Sequence, residues 1–271
     1  MPEEVAEAAR ARVAEVRGDV LVALGGGSTI GLAKAVALTD ALPILAVPTT
    51  YAGSEMTPVW GLTENGVKRT GRDPNVLPVS VVYDPSLTLS MPVGLAVTSG
   101  LNAVAHAAEG LYAPDASPIV SLMAREGVRA LVEALPAIVE RPDDLDARAG
   151  ALYGAWLCGA VLGATTMGLH HKLCHALGGT LNLPHSETHT VVLPHALAYN
   201  GAAEPSPAGL WELAGRLGAP RSLRELGMAE ADIDRIAEQV AAATFPNPRP
   251  VTTEGVRDLL RAAWAGTPPA A

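Results

Sequence analysis

Histidines are the residues whose type and spacing in this chain can do chemistry. Six of the seven lie within residues 170–195, and the seventh, His106, follows Asn102 by four positions. Residues four apart share one face of a helix, and His171 and His175 repeat the same spacing. Such pairs are typical of metal ligands and of proton donors, whereas a lone histidine is more often a core residue.

Asn102, the residue paired with His106, bears on whether the histidines bind a metal or act as proton donors without one. An ionised aspartate would offer a full negative charge to a divalent cation, whereas the neutral amide of Asn102 offers only a dipole. The asparagine therefore favours a site without a metal. Three histidines can still hold zinc, so the residues alone leave both alternatives open.

A second constellation follows the apolar run at residues 19–24. It is the turn formed by Gly25, Gly26, Gly27 and Ser28. Glycines let backbone N–H groups approach a phosphate, and the predicted helix at residues 29–38 adds partial positive charge at its start. A further apolar run, residues 42–47, leads to the hydroxyls of Thr49, Thr50 and Ser54. Ligands of open α/β sheets bind at such strand ends, although a structural turn with capping hydroxyls fits the same residues.

The elements that must position these residues fall into two parts. Short apolar runs at 19–24, 42–47 and 79–83 alternate with predicted helices, including one at 3–17, which favours a mostly parallel sheet. Residues 54–78 read as a hairpin, and β signals fade after Pro92. We therefore predict an α/β domain over residues 1–95 and an all-helical domain over 96–271.

Composition excludes several classes of protein. A net charge of −9 argues against a nucleic-acid partner. Two cysteines without a CxxC pair fit a reducing cytosol, and the acidic N-terminus lacks a secretory signal, so we predict a cytoplasmic location. Residues 149–169 carry no charge and are long enough to span a bilayer, but we expect a buried helix and no membrane.

Four motifs, GGGS, PTTYAGSEMTP, HHKLCHALGG and LPHSETHTVVLPHALAYN, together resemble the iron-containing alcohol dehydrogenase superfamily. The resemblance covers essentially the whole chain and is closest to the maleylacetate reductases. It implies a dehydroquinate synthase-like architecture, in which a Rossmann-like nucleotide-binding domain precedes an all-helical domain and the active site lies between them. Against that pattern the nucleotide-binding domain of this chain is expected to be incomplete at its N-terminus.

The resemblance also assigns roles. Metal-dependent relatives place an aspartate at the position of Asn102 and bind the metal with the equivalents of His106, His171 and His185, whereas maleylacetate reductases carry the asparagine and a His-His-Lys run. The implied catalytic residues are His175, His171, His106 and His185. The implied substrate contacts are Asn102, His170, Lys172 and Tyr51. Lys68 joins the glycine turn and the three hydroxyl residues as an implied cofactor contact. We expect His189 and His195 to be structural.

The implied function is reduction of the C=C bond of maleylacetate, and of chloromaleylacetates, to 3-oxoadipate with NADH or NADPH. A dicarboxylate substrate, a homodimer and no metal are expected. His175 or His171 is the expected proton donor. One alternative is a metal-dependent alcohol dehydrogenase of the same superfamily. Another, of a different class, is a truncated, non-catalytic fragment or interaction protein.

Overall fold

The N-terminal part of the chain is built around a small parallel sheet. The computed structural model describes residues 1–64 and 67–270, and the side chains of residues 1–63 and 69–270. The sheet has the order β1-β2-β5, with β1 at Leu21–Gly25, β2 at Ile44–Pro48 and β5 at Ser80–Val81. Helices α1 (Glu3–Val16) and α2 (Gly27–Asp40) accompany it, and β3 (Val59–Glu64) pairs antiparallel with β4 (Val67–Arg72).

From Val93 onwards the described chain is helical. Helices α3 and α7 pack against each other, and α6 packs on α7, which brings their histidine-bearing faces together. The helices are α3 (Val93–Leu111), α4 (Pro118–Glu140), α5 (Leu145–Ala164), α6 (Leu169–Leu181), α7 (His185–Tyr199), α8 (Pro207–Arg216), α9 (Asp232–Ala241) and α10 (Thr253–Ala265).

The predicted α/β part with a parallel sheet, followed by an all-helical part, is confirmed, as is the hairpin. Two local predictions were wrong. Helix α2 begins at Gly27 rather than at residue 29, so the glycine turn is also the start of the helix. The third strand contains only Ser80 and Val81, although N–H groups at Val79 and Val82 continue its pairing with β2. The division near residue 95 stays a prediction.

Glycines on α5 let the segment after β2 lie directly against that helix. Gly53 has a φ of 73°, which favours glycine, and a Cβ on Gly159 would lie 2.9 Å from its Cα. A Cβ on Gly163 would lie 2.5 Å from the carbonyl oxygen of Met56. These contacts anchor the segment that carries Thr49, Thr50 and Ser54 on the helical part.

A buried lysine anchors the same segment from the other side. Lys34 on α2 is 1% exposed, and its ammonium donates to the carbonyl oxygens of Ser54 (2.6 Å), Thr57 (2.7 Å) and Val59 (3.0 Å). Burial lowers the pKa of Lys34 to about 7, while the charge of Glu55 acts in the opposite direction. The chain after β2 is thus held between α2 and α5.

Helix α5 includes most of the uncharged stretch at residues 149–169. Its inner face contributes Ala151, Ala155, Cys158 and Val161 to the larger helical core. Within the described residues, no single helix is long and apolar enough to cross a bilayer, and α5 and α6 meet that test only as a pair bent by 96°.

His195 gives the fold a predictable pH dependence. It is 3% exposed, and burial lowers its pKa from 6.5 to about 4. Between these values the unfolded chain binds a proton at His195 that the folded chain does not, so the free energy of unfolding falls as the pH falls through this window. Because Nε2 of His195 has no hydrogen-bond partner among the described residues, leucine should be tolerated there.

We therefore expect His195→Leu to lose less stability than the wild-type protein on acidification from about pH 6.5 to about pH 4. Urea unfolding across this range measures both free energies. Equal pH slopes for the two proteins would contradict the burial of a neutral imidazole at this position.

Candidate active site

The glycine turn packs against the segment that follows β2. The carbonyl oxygen of Gly25 accepts the N–H of Thr49 at 3.0 Å. A Cβ on Gly26 would lie 3.0 Å from Cγ2 of Thr50, and one on Gly27 would lie 3.3 Å from Cβ of Ala52. Glycines here let the start of α2 pack against this segment, and helix N-termini favour phosphate groups.

Ala52 connects this turn to the histidines. Its methyl group faces Gly27, and its carbonyl oxygen lies 3.3 Å from Nε2 of His106 on α3. Ala52 therefore contacts both the predicted phosphate-binding turn and His106, one of the predicted catalytic residues. Ser54, a predicted cofactor contact, starts a short 3₁₀ helix at Ser54–Met56, and its carbonyl oxygen binds Lys34. The side chain of Lys68 lies outside the described residues.

Three helices bring six histidines together in what we call the histidine cluster. The ring of His171 lies 5.0 Å from that of His106, 6.2 Å from that of His175 and 5.1 Å from that of His189, and the ring of His185 lies 4.4 Å from that of His189. The cluster consists of His106 from α3, His170, His171 and His175 from α6, and His185 and His189 from α7. All four histidines predicted to be catalytic belong to it.

A hydrogen-bonded chain runs through the buried part of the cluster. Oε2 of Glu109 lies 2.6 Å from Nδ1 of His171, and Nε2 of His171 lies 2.9 Å from Nδ1 of His106. Nε2 of His106 lies 3.4 Å from Nδ2 of Asn102. Burial, and next the neighbouring ring of His171, lower the pKa of His106 well below its ordinary value, so this imidazole is neutral.

Glu109 was missed by the sequence analysis. It follows His106 by three positions on α3 and is fully buried, with its carboxylate at the start of α6. Its spacing from Asn102 and His106 could have marked it as a third polar residue on one face of an otherwise apolar helix.

His189, which we expected to be structural, lies inside the cluster. Its Nδ1 lies 3.0 Å from Nε2 of His170, and both rings are fully buried. Burial lowers the pKa of each well below the ordinary histidine value. The spacing of four between His185 and His189 carried the signal. His170, expected at the substrate, instead faces His189 and the thiol of Cys174, 3.8 Å away.

Three further predictions about position need correction. Tyr51 is fully buried in the helical core, which leaves no surface for a substrate. Lys172 is exposed, and its ammonium lies 6.0 Å from the ring of Phe245 rather than among the histidines. The position of His185 directly after Pro184 favours a loop, but the residue is the first of α7. His185 and His175 are the exposed members of the cluster.

The facing nitrogens of His106 and His171, two histidines whose equivalents bind the metal in metal-dependent relatives, do not have the geometry of two ligands of one tetrahedral ion. Nitrogens bound to one tetrahedral zinc, each at about 2.0–2.1 Å, lie about 3.3 Å apart with both lone pairs aimed at the ion. Nδ1 of His106 and Nε2 of His171 instead face each other at 2.9 Å. Asn102 adds no charge to offset a cation.

A different group has ligand atoms within 4.8 Å of one another, namely His170, Cys174 and His189. It is fully enclosed, and burial followed by the charge of Glu109 raises the pKa of Cys174 well above its ordinary value.

A cavity of about 400 Å³ lies away from the cluster, against Glu55, Tyr83 and Trp156. Within it the Tyr83 hydroxyl donates to Oε1 of Glu55 at 2.9 Å. This bond ties Glu55 to the end of the sheet. The four histidines predicted to be catalytic are not among the residues that line this cavity.

Comparisons with known proteins agree with this geometry. The family model "Iron-containing alcohol dehydrogenase" matches residues 1–85, and "Fe-containing alcohol dehydrogenase family, C-terminal" matches residues 96–208 and 206–264. The chain is 55% identical to a maleylacetate reductase from Pseudomonas sp. (strain P51), over 99% of this chain and 80% of that protein.

Solved structures give the same result. Maleylacetate reductase from Agrobacterium tumefaciens superposes with a TM-score of 0.96 at 52% identity, over 99% of this chain and 81% of that one. The enzyme from Rhizobium sp. strain MTP-10005 gives a TM-score of 0.95 at 52% identity, with the same coverage of 99% and 81%. The chain belongs to the iron-containing alcohol dehydrogenase family.

Proposed function

We propose that this protein uses NADH or NADPH to reduce the C=C bond of maleylacetate, giving 3-oxoadipate. The observation that carries the proposal is 55% identity with a maleylacetate reductase over 99% of the chain. The structure supports it through Ala52, which contacts both the glycine turn and His106. A cofactor whose phosphates lie at the start of α2 has a short path from there to the histidine cluster.

The residues present fit a dinucleotide on the sheet side. A Cβ on Gly26 would contact Thr50 and one on Gly27 would contact Ala52, and the N-cap Gly26 brings no side chain to the first N–H groups of α2. These groups would hold the phosphates. Reduced nicotinamide supplies the hydride. Residues 1–95 then serve as the cofactor unit and residues 96–271 as the substrate unit.

The reaction places defined demands on the protein. Maleylacetate carries an alkene conjugated to a ketone, so addition of hydride at the alkene carbon β to the ketone moves an electron pair onto the ketone oxygen. The resulting enolate needs hydrogen-bond donors, and the carbon between must receive a proton. The amide nitrogen of Asn102 suits the first task, because it is buried and carries two N–H groups, of which His106 Nε2 can accept only one.

His175 is the better candidate for the proton donor. Both ring nitrogens of His171 are engaged, one with Glu109 and one with His106, which leaves neither directed at a substrate carbon. His175 lies one turn further along α6 and is exposed, so its proton can be replaced from solvent. His185, the other exposed member, is assigned to the substrate carboxylates.

We further propose that turnover needs no metal, since the nitrogens of His106 and His171 bind each other and Asn102 is neutral. We also propose that the protein forms a homodimer.

The function itself is tested by following oxidation of NADH and of NADPH with maleylacetate and with short aldehydes as competing substrates. We expect oxidation with maleylacetate to exceed that with aldehydes by at least about 100-fold in kcat/KM, since hydrogen-bonding sites discriminate strongly. Reduction of aldehydes alone would contradict the proposal and favour an alcohol dehydrogenase.

His175→Ala is expected to lower kcat by about 100-fold or more, because proton transfer by a positioned side chain contributes about that much. Steady-state rates with maleylacetate measure the change. His195→Leu, on the same pair of helices but outside the cluster, serves as the control and should keep wild-type turnover. Near-native turnover of the His175 variant would remove it as the donor.

Treatment of the wild-type protein with a chelator is expected to leave its turnover unchanged. The Asn102→Asp variant is expected to retain iron or zinc after dialysis, because the aspartate adds the missing negative charge beside His106. The matched control Asn182→Asp adds the same charge at the C-terminal end of α6 and should retain none. Metal analysis after dialysis measures the retained iron or zinc, and steady-state rates before and after chelation measure the effect on turnover. Chelator-sensitive turnover that iron restores would overturn the metal-free mechanism.

A further inference from the structure

The carboxylate of Glu109 accepts an unusually large number of hydrogen bonds for one side chain. It is fully buried on α3 and faces the first turn of α6. Its donors are the N–H groups of Gly168 (3.2 Å), His170 (2.8 Å) and His171 (3.3 Å), Nδ1 of His171 (2.6 Å) and the hydroxyl of Tyr112 (3.4 Å).

Part of this arrangement is a helix cap supplied from another helix. The N-cap residue of α6 is Gly168, which has no side chain to accept the first N–H groups. Glu109 provides those acceptors, and its negative charge lies at the positive end of the helix dipole. A carboxylate at this place fixes where α6 begins and therefore where its histidines lie.

The bond to Nδ1 of His171 has a separate consequence. An ionised carboxylate only accepts hydrogen bonds, so Nδ1 of His171 must carry the proton. In the neutral ring Nε2 then holds a lone pair, which faces Nδ1 of His106 at 2.9 Å. When Nδ1 of His106 donates in turn, Nε2 of His106 presents its lone pair to the amide nitrogen of Asn102 at 3.4 Å and does not donate to the carbonyl oxygen of Ala52, 3.3 Å away.

We propose that Glu109 is a positioning residue that selects the tautomer and ring orientation of His171 and, through it, of His106 and Asn102. It touches neither substrate nor cofactor, and its effect on the reaction passes through the two histidines. This inference rests on the proposed function for its catalytic consequence only, because the tautomer of His171 can be observed without a substrate.

The test compares Glu109→Gln with Glu109→Asp. The glutamine amide has one acceptor oxygen in place of two, so the cap and the bond to Nδ1 of His171 compete for it. The aspartate keeps an acceptor-only carboxylate one methylene shorter. Asp115→Asn is the matched control, because Asp115 accepts from the N–H and hydroxyl of Thr166 just before α6 rather than from His171.

Long-range ¹H–¹⁵N spectra of histidine-labelled protein report which ring nitrogen carries the proton, with His171 assigned by its loss in His171→Asn. We expect Nδ1–H at His171 in the wild type, Glu109→Asp and Asp115→Asn, and a loss of that state in Glu109→Gln. We also expect kcat of Glu109→Gln to fall by about 10–100-fold with KM within about threefold, as for other residues that orient a functional histidine. Glu109→Asp should recover most of that loss.

An unchanged His171 spectrum in Glu109→Gln, with or without lower activity, would overturn the proposal and leave Glu109 as a cap alone. Should Glu109→Gln not fold, an Nε2–H tautomer of His171 in the wild type or in Glu109→Asp would overturn it equally. A wild-type protein that shows the expected tautomer but does not reduce maleylacetate would contradict the proposed function while leaving this inference in place.

Discussion

The site depends on one buried negative charge. An isolated carboxylate in a protein interior is very costly, and Glu109 is stable there because N–H and O–H donors surround both of its oxygens. Most of those donors belong to the first turn of α6, so the charge and the helix start fix each other. Since α6 carries half of the histidine cluster, the position of this carboxylate sets the position of the chemistry.

The second requirement is a connection between the two parts of the chain, and small residues provide it. The segment after β2 lies against α5 because Gly53 meets Gly159 without side chains between them, and it lies against the glycine turn at Ala52. Lys34 holds its far end. One short segment thus lies beside both the proposed cofactor site on the sheet and the proposed substrate site among the histidines. Its geometry is set by close packing rather than by a flexible loop.

The sequence predicted the elements whose signals are local. The parallel sheet, the hairpin and the spacing-of-four pairs on α3 and α6 all follow from periodicity and turn residues. The sequence alone could not show which faces of different helices pack against each other. Glu109 was therefore missed, because its importance comes from its contact with the start of α6. Tyr51 and Lys172 lie beside residues of the site in sequence, yet one side chain enters the core and the other points to Phe245.

In the proposed reaction, hydride is added to a carbon–carbon double bond at a histidine site rather than to a carbonyl at a metal. Nuclear magnetic resonance of the product formed from maleylacetate and reduced nicotinamide deuterated at its transferable position distinguishes the two. One deuterium is expected at the carbon β to the intact ketone of 3-oxoadipate. Deuterium on a carbinol carbon, with the alkene retained, would contradict it.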